Sequence, residues 1–518
     1  MTKTRFRTPR FNEHAERAFG RLRDTTLRKT GLEKAIGEAT GRNLSVLEAS
    51  VPREEFAAFK EWVTPDAVWK EVEKRGLASD SRAKRIVTMS LGNPSAYEGY
   101  PPNSDLYRCL GEITSEQIRE SSGYTTSFGY PPLLGKMKRA NFFDPTSIHN
   151  DPAGFSDVRV YLTTGSSTGV ELAVAPMLLT SADTLLVPDW TYVIHLAAGY
   201  KRNAHVENWE LRDDGRPDPG SLRAKLIEEK HGDRNIQAVV LTPIGNPVGA
   251  AMTRADIVEH LRIVQEATER EGRPLLTLVD VAYEPFRRDG KPLDPIKIAK
   301  EEGLHLPIAV LDTTSKGYGM SGWRMGKLGI LWPSDAFPDY REDYLTALEN
   351  AVLPTLGLVG VPMQMAFDRL FTQLATDEQL MSRTVEFFRT RRELINANLL
   401  YMAKELSKID GVYLSRYYDH GGTNGGIEPE ALSSFYLLFG FTKLATREGS
   451  GFNQVVAFGE YALDTPGVAM INCVPGQSFL PSKRISLHQG LIRVTGLTNN
   501  DETEAFLESV RAYARHLD

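Results

Sequence analysis

The chain of 518 residues is long enough for more than one domain, and its 41% hydrophobic and 25% charged residues match those of globular proteins. Its formal net charge of −6 excludes a molecule built throughout for nucleic acid, although residues 1–42 carry 11 Lys/Arg against 5 Asp/Glu. Two cysteines, Cys109 and Cys473, are too few for a disulfide framework or a Cys-rich metal centre, so no metal is expected. No apolar run reaches the roughly 18 residues that span a bilayer, and none follows the basic Met1–Phe11. The expectation is a cytoplasmic protein with no membrane partner.

Residues 1–84 predict a helical extension. Ala15, Phe19, Leu22 and Leu27 recur at helical spacing among charges. Phe56, Phe59 and Trp62 follow after Val51-Pro52, and Thr64-Pro65-Asp66 opens a third helix that Gly76 ends. From residue 85 the texture changes to short Val-, Ile- and Leu-rich runs separated by helix-length segments. Arg85–Leu91, Val158–Thr163, Thr184–Pro188, Ala238–Leu241, Leu275–Val279, Ile308–Leu311 and Leu328–Leu331 predict buried strands of a mostly parallel sheet covered by helices, an α/β fold. A long helix is expected over Glu378–Lys408. Strands at Leu432–Phe441 and Leu491–Val494, with a helix at Glu502–Leu517 capped by Asn500 or Asp501, suggest a smaller second α/β unit. Gly421–Gly426 reads as a loop. The expected divisions are a helical extension at 1–84, a first small-domain segment at 85–110, a large domain at 111–370, and a linking helix with the small C-terminal domain at 371–518.

Ligands of such sheets gather at the C-terminal ends of the strands, so the residues after each strand carry the chemical information. Thr164-Gly165-Ser166-Ser167-Thr168-Gly169 opens a helix, and its hydroxyls and amides suit a phosphate. Asp189-Trp190-Thr191-Tyr192 follows the next strand. Then comes Thr242-Pro243-Ile244-Gly245-Asn246-Pro247, where Asn-Pro alone reads as turn chemistry. Asp280 ends a buried strand, where an acid is costly without a partner, and Tyr283 lies three residues on. Thr313-Thr314-Ser315-Lys316 leads through Gly317 to Gly322-Trp323-Arg324-Met325-Gly326. A lysine among small and aromatic residues is a candidate for imine chemistry.

Taken singly these are caps, turns and surface charges; in this order they resemble fold-type I pyridoxal-phosphate enzymes, the aspartate aminotransferase superfamily. The resemblance spans about residues 90–500 and is most specific at Ser-Lys-x-x-x-Met-x-Gly-Trp-Arg-x-Gly. It implies that Lys316 holds pyridoxal 5'-phosphate as a Schiff base and then serves as acid and base. Asp280 would pair with the pyridine nitrogen, and Tyr283 and Asn246 would bond the ring oxygen. Trp190 would stack on the ring, while Ser167, Thr168, Thr313, Ser315 and Arg324 would hold the phosphate. Tyr124, in Gly123-Tyr124-Thr125-Thr126-Ser127-Phe128-Gly129, resembles the tyrosine that reaches the neighbouring subunit's phosphate, which implies a homodimer. Arg493 and Gly92 resemble the residues at the substrate α-carboxylate.

The pattern departs from the family after Gly129, where Pro132-Leu133-Leu134-Gly135-Lys136 lacks the usual arginine. No second arginine for a side-chain carboxylate is assigned; Arg341 is the candidate, in an unconvincing context. An aminotransferase acting on an amino acid is therefore expected. Elimination or carbon–carbon bond formation, as in aminocyclopropane-carboxylate synthase with S-adenosylmethionine, ranks second, and aspartate 4-decarboxylation third. A transcriptional regulator on this fold is the reading outside enzymes; the basic stretch Lys3–Lys34 recommends it, but the extension shows no wing strands, so no nucleic-acid partner is expected.

Overall fold

Runs of β-branched and Leu residues bury both faces when each strand is flanked by others and covered above and below. The computed structural model describes residues 86–518 except 90–91, 93, 95–99, 101–102, 122–125, 229–234, 357–358, 419–431, 446–450, 466–467 and 476–489. The expected helical extension and the Gly421–Gly426 loop lie outside the described residues. The strands are β1 (Ile86–Thr88), β2 (Arg159–Thr163), β3 (Asp183–Pro188), β4 (His205–Trp209), β5 (Asn235–Leu241), β6 (Leu276–Asp280) and β7 (Ile308–Thr313). They continue with β8 (Gly326–Leu331), β9 (Val412–Leu414), β10 (Tyr436–Phe441), β11 (Met470–Asn472), β12 (Val474–Pro475) and β13 (Ile492–Thr495).

Seven strands form the main sheet in the order β2-β8-β7-β6-β5-β3-β4. All neighbours run parallel except β8, which is antiparallel to both β2 and β7. Side-chain alternation divides the sheet between two apolar layers. Leu185, Val187, Ala238, Val240, Ala309 and Leu311 pack toward the helices Ser166–Val174, Val193–Lys201 and Pro338–Leu356. Leu186, Val239, Leu241, Ile308 and Val310 pack on the other side toward Arg254–Glu271 and Val361–Leu374. The first of these helices on the second face is set by a reciprocal Thr253–Asp256 cap and stopped by Gly272 at φ 62°. These layers form the expected α/β fold, a mostly parallel sheet covered by helices.

A third apolar cluster joins Leu399 and Met402 of the helix Glu378–Leu406, Phe439 of β10, and Phe506 of the helix Asn500–Leu517. Its strands form an antiparallel sheet, β12-β13-β10-β9, beside a parallel pair, β1-β11. Three readings need correction. Arg85–Leu91 contributes β1 alone, paired with β11 rather than with the main sheet. β4 was not foreseen, because His-Val-Glu-Asn-Trp is a half-buried edge strand with mixed polar and apolar residues rather than an apolar run. The last helix is capped by Asn499, whose side chain accepts from Glu502 N–H while Glu502 reciprocates, not by Asn500 or Asp501. Among the described residues no helix is long and apolar enough to cross a membrane, and no cluster of His, Cys, Asp or Glu is suited to a metal.

Candidate active site

Parallel strands deliver their C-terminal ends to one edge of the sheet, and reversed β8 returns its start to that same edge. The turns after β2, β3, β5, β6 and β7 and the approach to β8 therefore meet. They border an open cavity lined among others by Ser167, Asn246, Asp280, Tyr283, Lys316 and Arg324.

At one end, Ser166 and Ser167 begin the helix Ser166–Val174, so its free backbone amides face the cavity. Gly165 precedes them at φ 88°, and a Cβ there would lie 2.9 Å from Arg324 Nη2. Gly326 is equally confined: its Cβ would lie 2.6 Å from the Gly165 carbonyl carbon, so β8 can start this close only without a side chain. Arg324 donates to Ser321 O at 2.9 Å and Thr164 O at 3.0 Å, which fixes the guanidinium over this turn. The hydroxyls of Thr313 and Ser315, 2.9 Å apart, line the same end. A cation, hydroxyls and helix-terminal amides around a turn with no room for a Cβ have the chemistry that suits a phosphate.

At the other end, Asp280 closes β6 and is held from two sides. Its Oδ1 accepts from Ala282 N–H at 3.0 Å, and its Oδ2 lies 3.1 Å from His195 Nε2. His195 Nδ1 in turn lies 2.8 Å from the Thr191 hydroxyl. If that hydroxyl donates, the tautomer leaves Nε2–H to donate to the carboxylate. His195 is fully buried.

Between the two ends, Lys316 Nζ donates to Gly92 O at 2.7 Å. Asn246 bridges two groups: its Nδ2 donates to Tyr283 Oη at 3.2 Å, and its Oδ1 accepts from Arg493 Nη1 at 3.1 Å. Burial, then the neighbouring Tyr436, push the Tyr283 phenol well above its ordinary pKa. Behind the lysine turn, Arg391 donates to Gly317 O at 3.2 Å and lies over the Phe387 ring at 4.0 Å. Burial lowers its pKa to about 10.

Of the residues singled out from the sequence, Lys316, Asp280, Tyr283, Asn246, Ser167, Thr313, Ser315 and Arg324 line the cavity. Gly92 and Arg493 adjoin it through Lys316 and Asn246. Trp190 does not line it: with φ 56° its ring is buried in the core beside Tyr417, and after β3 it is Tyr192 that joins Tyr283 at the cavity wall. Thr168 also falls outside the lining, its hydroxyl turned to Thr164 at 2.7 Å. Arg341 bonds Trp332 O and Glu342 and is not part of the wall. Tyr124 lies outside the described residues. Sequence reasoning missed His195 and Tyr192. The signal was there in part, since both follow β3 on the turn and helix that Asp189-Trp190 begins.

The family described as Aminotransferase class I and II matches residues 124–427. Tyrosine aminotransferase of Mus musculus is 22% identical over 367 residues, 71% of this chain and 73% of its own length. A bifunctional aspartate aminotransferase and glutamate/aspartate-prephenate aminotransferase of Petunia hybrida is 23% identical over 382 residues, 73% of this chain and 69% of its own. Among solved structures, an alanine aminotransferase from Pyrococcus furiosus superposes with a TM-score of 0.62 at 19% identity, covering 87% of this chain and 95% of that one.

Proposed function

From the premise that the chain belongs to the class I and II aminotransferases, which use pyridoxal 5'-phosphate, we propose that Lys316 is the residue that holds this cofactor and moves the substrate proton. The chain is accordingly an enzyme, a transferase. The carrying observation is the order of groups along one cavity: a phosphate cradle, a lysine amine, and a carboxylate at the far end. That donor set fits the cofactor's phosphate, aldehyde and ring nitrogen. When bound, the cofactor supplies an electron sink for the carbanion formed at the amino acid's Cα.

The residues do the rest. Asp280, oriented by His195 and the Ala282 amide, would keep the ring nitrogen protonated by charge interaction in a poorly solvated site. Tyr283 and Asn246 would bond the ring oxygen. Ser166, Ser167, Thr313, Ser315 and Arg324 would hold the phosphate, and Tyr192 would cover the ring face. Lys316 Nζ would hold the cofactor and would act as the acid and base that moves the proton at the amino acid's Cα. Arg493, its guanidinium braced by Asn246, grips the α-carboxylate of the amino acid. The donor is an α-amino acid and the acceptor a 2-oxo acid. Tyr124, reaching a twin subunit's phosphate cradle, would make the working unit a homodimer.

Lys316→Ala tests this reading. The variant is expected to lose the visible absorption of the lysine-bound cofactor and all measurable conversion of amino acids to 2-oxo acids. Retention of both would overturn the assignment.

A further inference from the structure

Resting on the reading of Lys316 as the residue that holds the cofactor, we propose that Arg391 is a positioning residue that aims Lys316 by pinning the backbone beside it. Lys316 stands in the loop between β7 and β8, and its amine donates to Gly92 O at 2.7 Å. A long, flexible side chain is only as well aimed as the backbone that carries it. That backbone runs on into Gly317 and Gly319, and glycine supplies little stiffness of its own. Its course is therefore set by what surrounds it.

Lys316 O accepts from Gly319 N–H at 3.0 Å, which closes a turn. The next carbonyl, Gly317 O, accepts from Arg391 Nη1 at 3.2 Å. Because peptide groups are planar, these two bonds hold the two successive planes that leave Lys316. Arg391 reaches the loop from outside, from the helix Glu378–Leu406, and is 4% exposed. Its guanidinium carbon lies 4.0 Å from the centre of the Phe387 ring, one helical turn away on the same face. A guanidinium can lie flat on that ring and still present an N–H at its edge, which a lysine ammonium cannot.

The packing beside this contact is fitted to it. A Cβ on Gly319, at φ 70°, would lie 2.9 Å from Arg391 Nη1. A Cβ on Gly317 would lie 2.8 Å from both Phe388 Cε1 and Pro285 Cγ. Between them Tyr318 is fully buried, its ring edge-on to Phe367 and Phe388 with centroids 5.2 Å apart in each pair. Residues 317–319 are thus seated against the helix side, while Lys316 lines the cavity. A buried hydrogen bond from a charged donor is a strong one, and it is the tie that joins this helix to the lysine turn.

Arg391→Met keeps an apolar stem against Phe387 and removes the donor. In the loaded enzyme kcat is expected to fall by about tenfold to a hundredfold, with KM for the amino acid changed less, as for a small displacement of a reacting group. A second readout separates aim from general damage. Full-length protein freed of cofactor is mixed with pyridoxal 5'-phosphate, and growth of the visible band of the lysine-bound cofactor is timed. Affinity for pyridoxine 5'-phosphate, which has the ring and phosphate but no aldehyde, is measured beside it. The rate is expected to fall about tenfold or more while the affinity stays within about twofold. Arg391→Lys, which keeps the charge and a donor, should recover part of the rate. An unchanged rate, or a loss of affinity as large as the loss of rate, overturns the proposal. Where Arg391→Met does not fold, Arg391→Lys decides by the same two measurements. The underlying reading fails separately: it falls if Lys316→Ala still forms the visible band.

Discussion

Asp280 shows how much a single side chain depends on its neighbours. A carboxylate at the end of a buried strand is stabilised here by one backbone amide and by His195, so it stays in place as an acceptor. Asp280→Asn keeps the shape and removes the charge. It is expected to retain much of the cofactor while turnover falls by well over tenfold, a loss above about 1.4 kcal/mol in the barrier; steady-state kinetics with a good amino donor measures this. His195→Ala leaves Asp280 charged but loosely aimed. A hydrogen bond to a charged group is worth about 1.5–3 kcal/mol, so a loss of about tenfold to a hundredfold in kcat/KM is expected, smaller than that of Asp280→Asn. Equal losses in the two variants would mean that His195 does more than orient the acid.

Among the elements, the helix Arg254–Glu271 carries the clearest pH dependence. His260 is buried on its inner face, 1% exposed, with Nδ1 2.7 Å from Asp256 O. Burial lowers its pKa below the ordinary value, so the folded protein holds the neutral ring. A group with a depressed folded pKa contributes stability above its unfolded pKa and loses it as pH falls. Thermal stability should therefore decline as pH drops below about 6.5, the unfolded histidine value. His260→Gln, which keeps a donor for Asp256 O, should flatten the change in Tm between pH 7 and pH 5.

The strand ends carrying Asp280, Lys316 and Arg324 were legible because hydrophobic runs mark where strands stop and polar residues follow. Elements whose identity rests on distant partners were not. The buried Lys327 on β8 donates to Asn141 Oδ1 at 2.6 Å and to Ala140 O at 2.8 Å, and faces Asp312 on β7. Burial pushes Asp312 up to about 6, and nothing near either residue in sequence announces that environment. Trp190 and Tyr192 illustrate the same limit at close range. Both are aromatic and two residues apart, and only the positive φ at Trp190 turns one ring into the core and leaves the other at the wall.

At the scale of the whole molecule, the site draws on more than one sheet: Asp280 ends and Lys316 follows strands of the main sheet, Arg493 lies on β13 of the antiparallel sheet, and Gly92 follows β1. If Tyr124 also completes a twin's phosphate cradle, activity belongs to the pair. Mixing inactive Lys316→Ala with inactive Tyr124→Ala protomers should then restore activity at up to roughly a quarter of the sites, since each mixed dimer keeps one site free of both changes. A monomer fully active during sedimentation would refute the shared site.

The reversal of β8 has a dynamic consequence. Because β7 and β8 run antiparallel, residues 314–325 form a hairpin loop whose strands pair directly, with Thr314 N–H bonded to Met325 O, Gly319 N–H to Lys316 O, and Met320 N–H to Thr314 O. A loop closed by its own hydrogen bonds can open as a local unit without melting the sheet. A ligand that binds only the closed form deepens that local well by mass action. Deuterium uptake at the amides of residues 314–325 should accordingly slow when the cavity is filled, while uptake in β10 and β13 changes little. The loop that carries the lysine would then act as its own latch, with occupancy written into the lifetime of its amide protons.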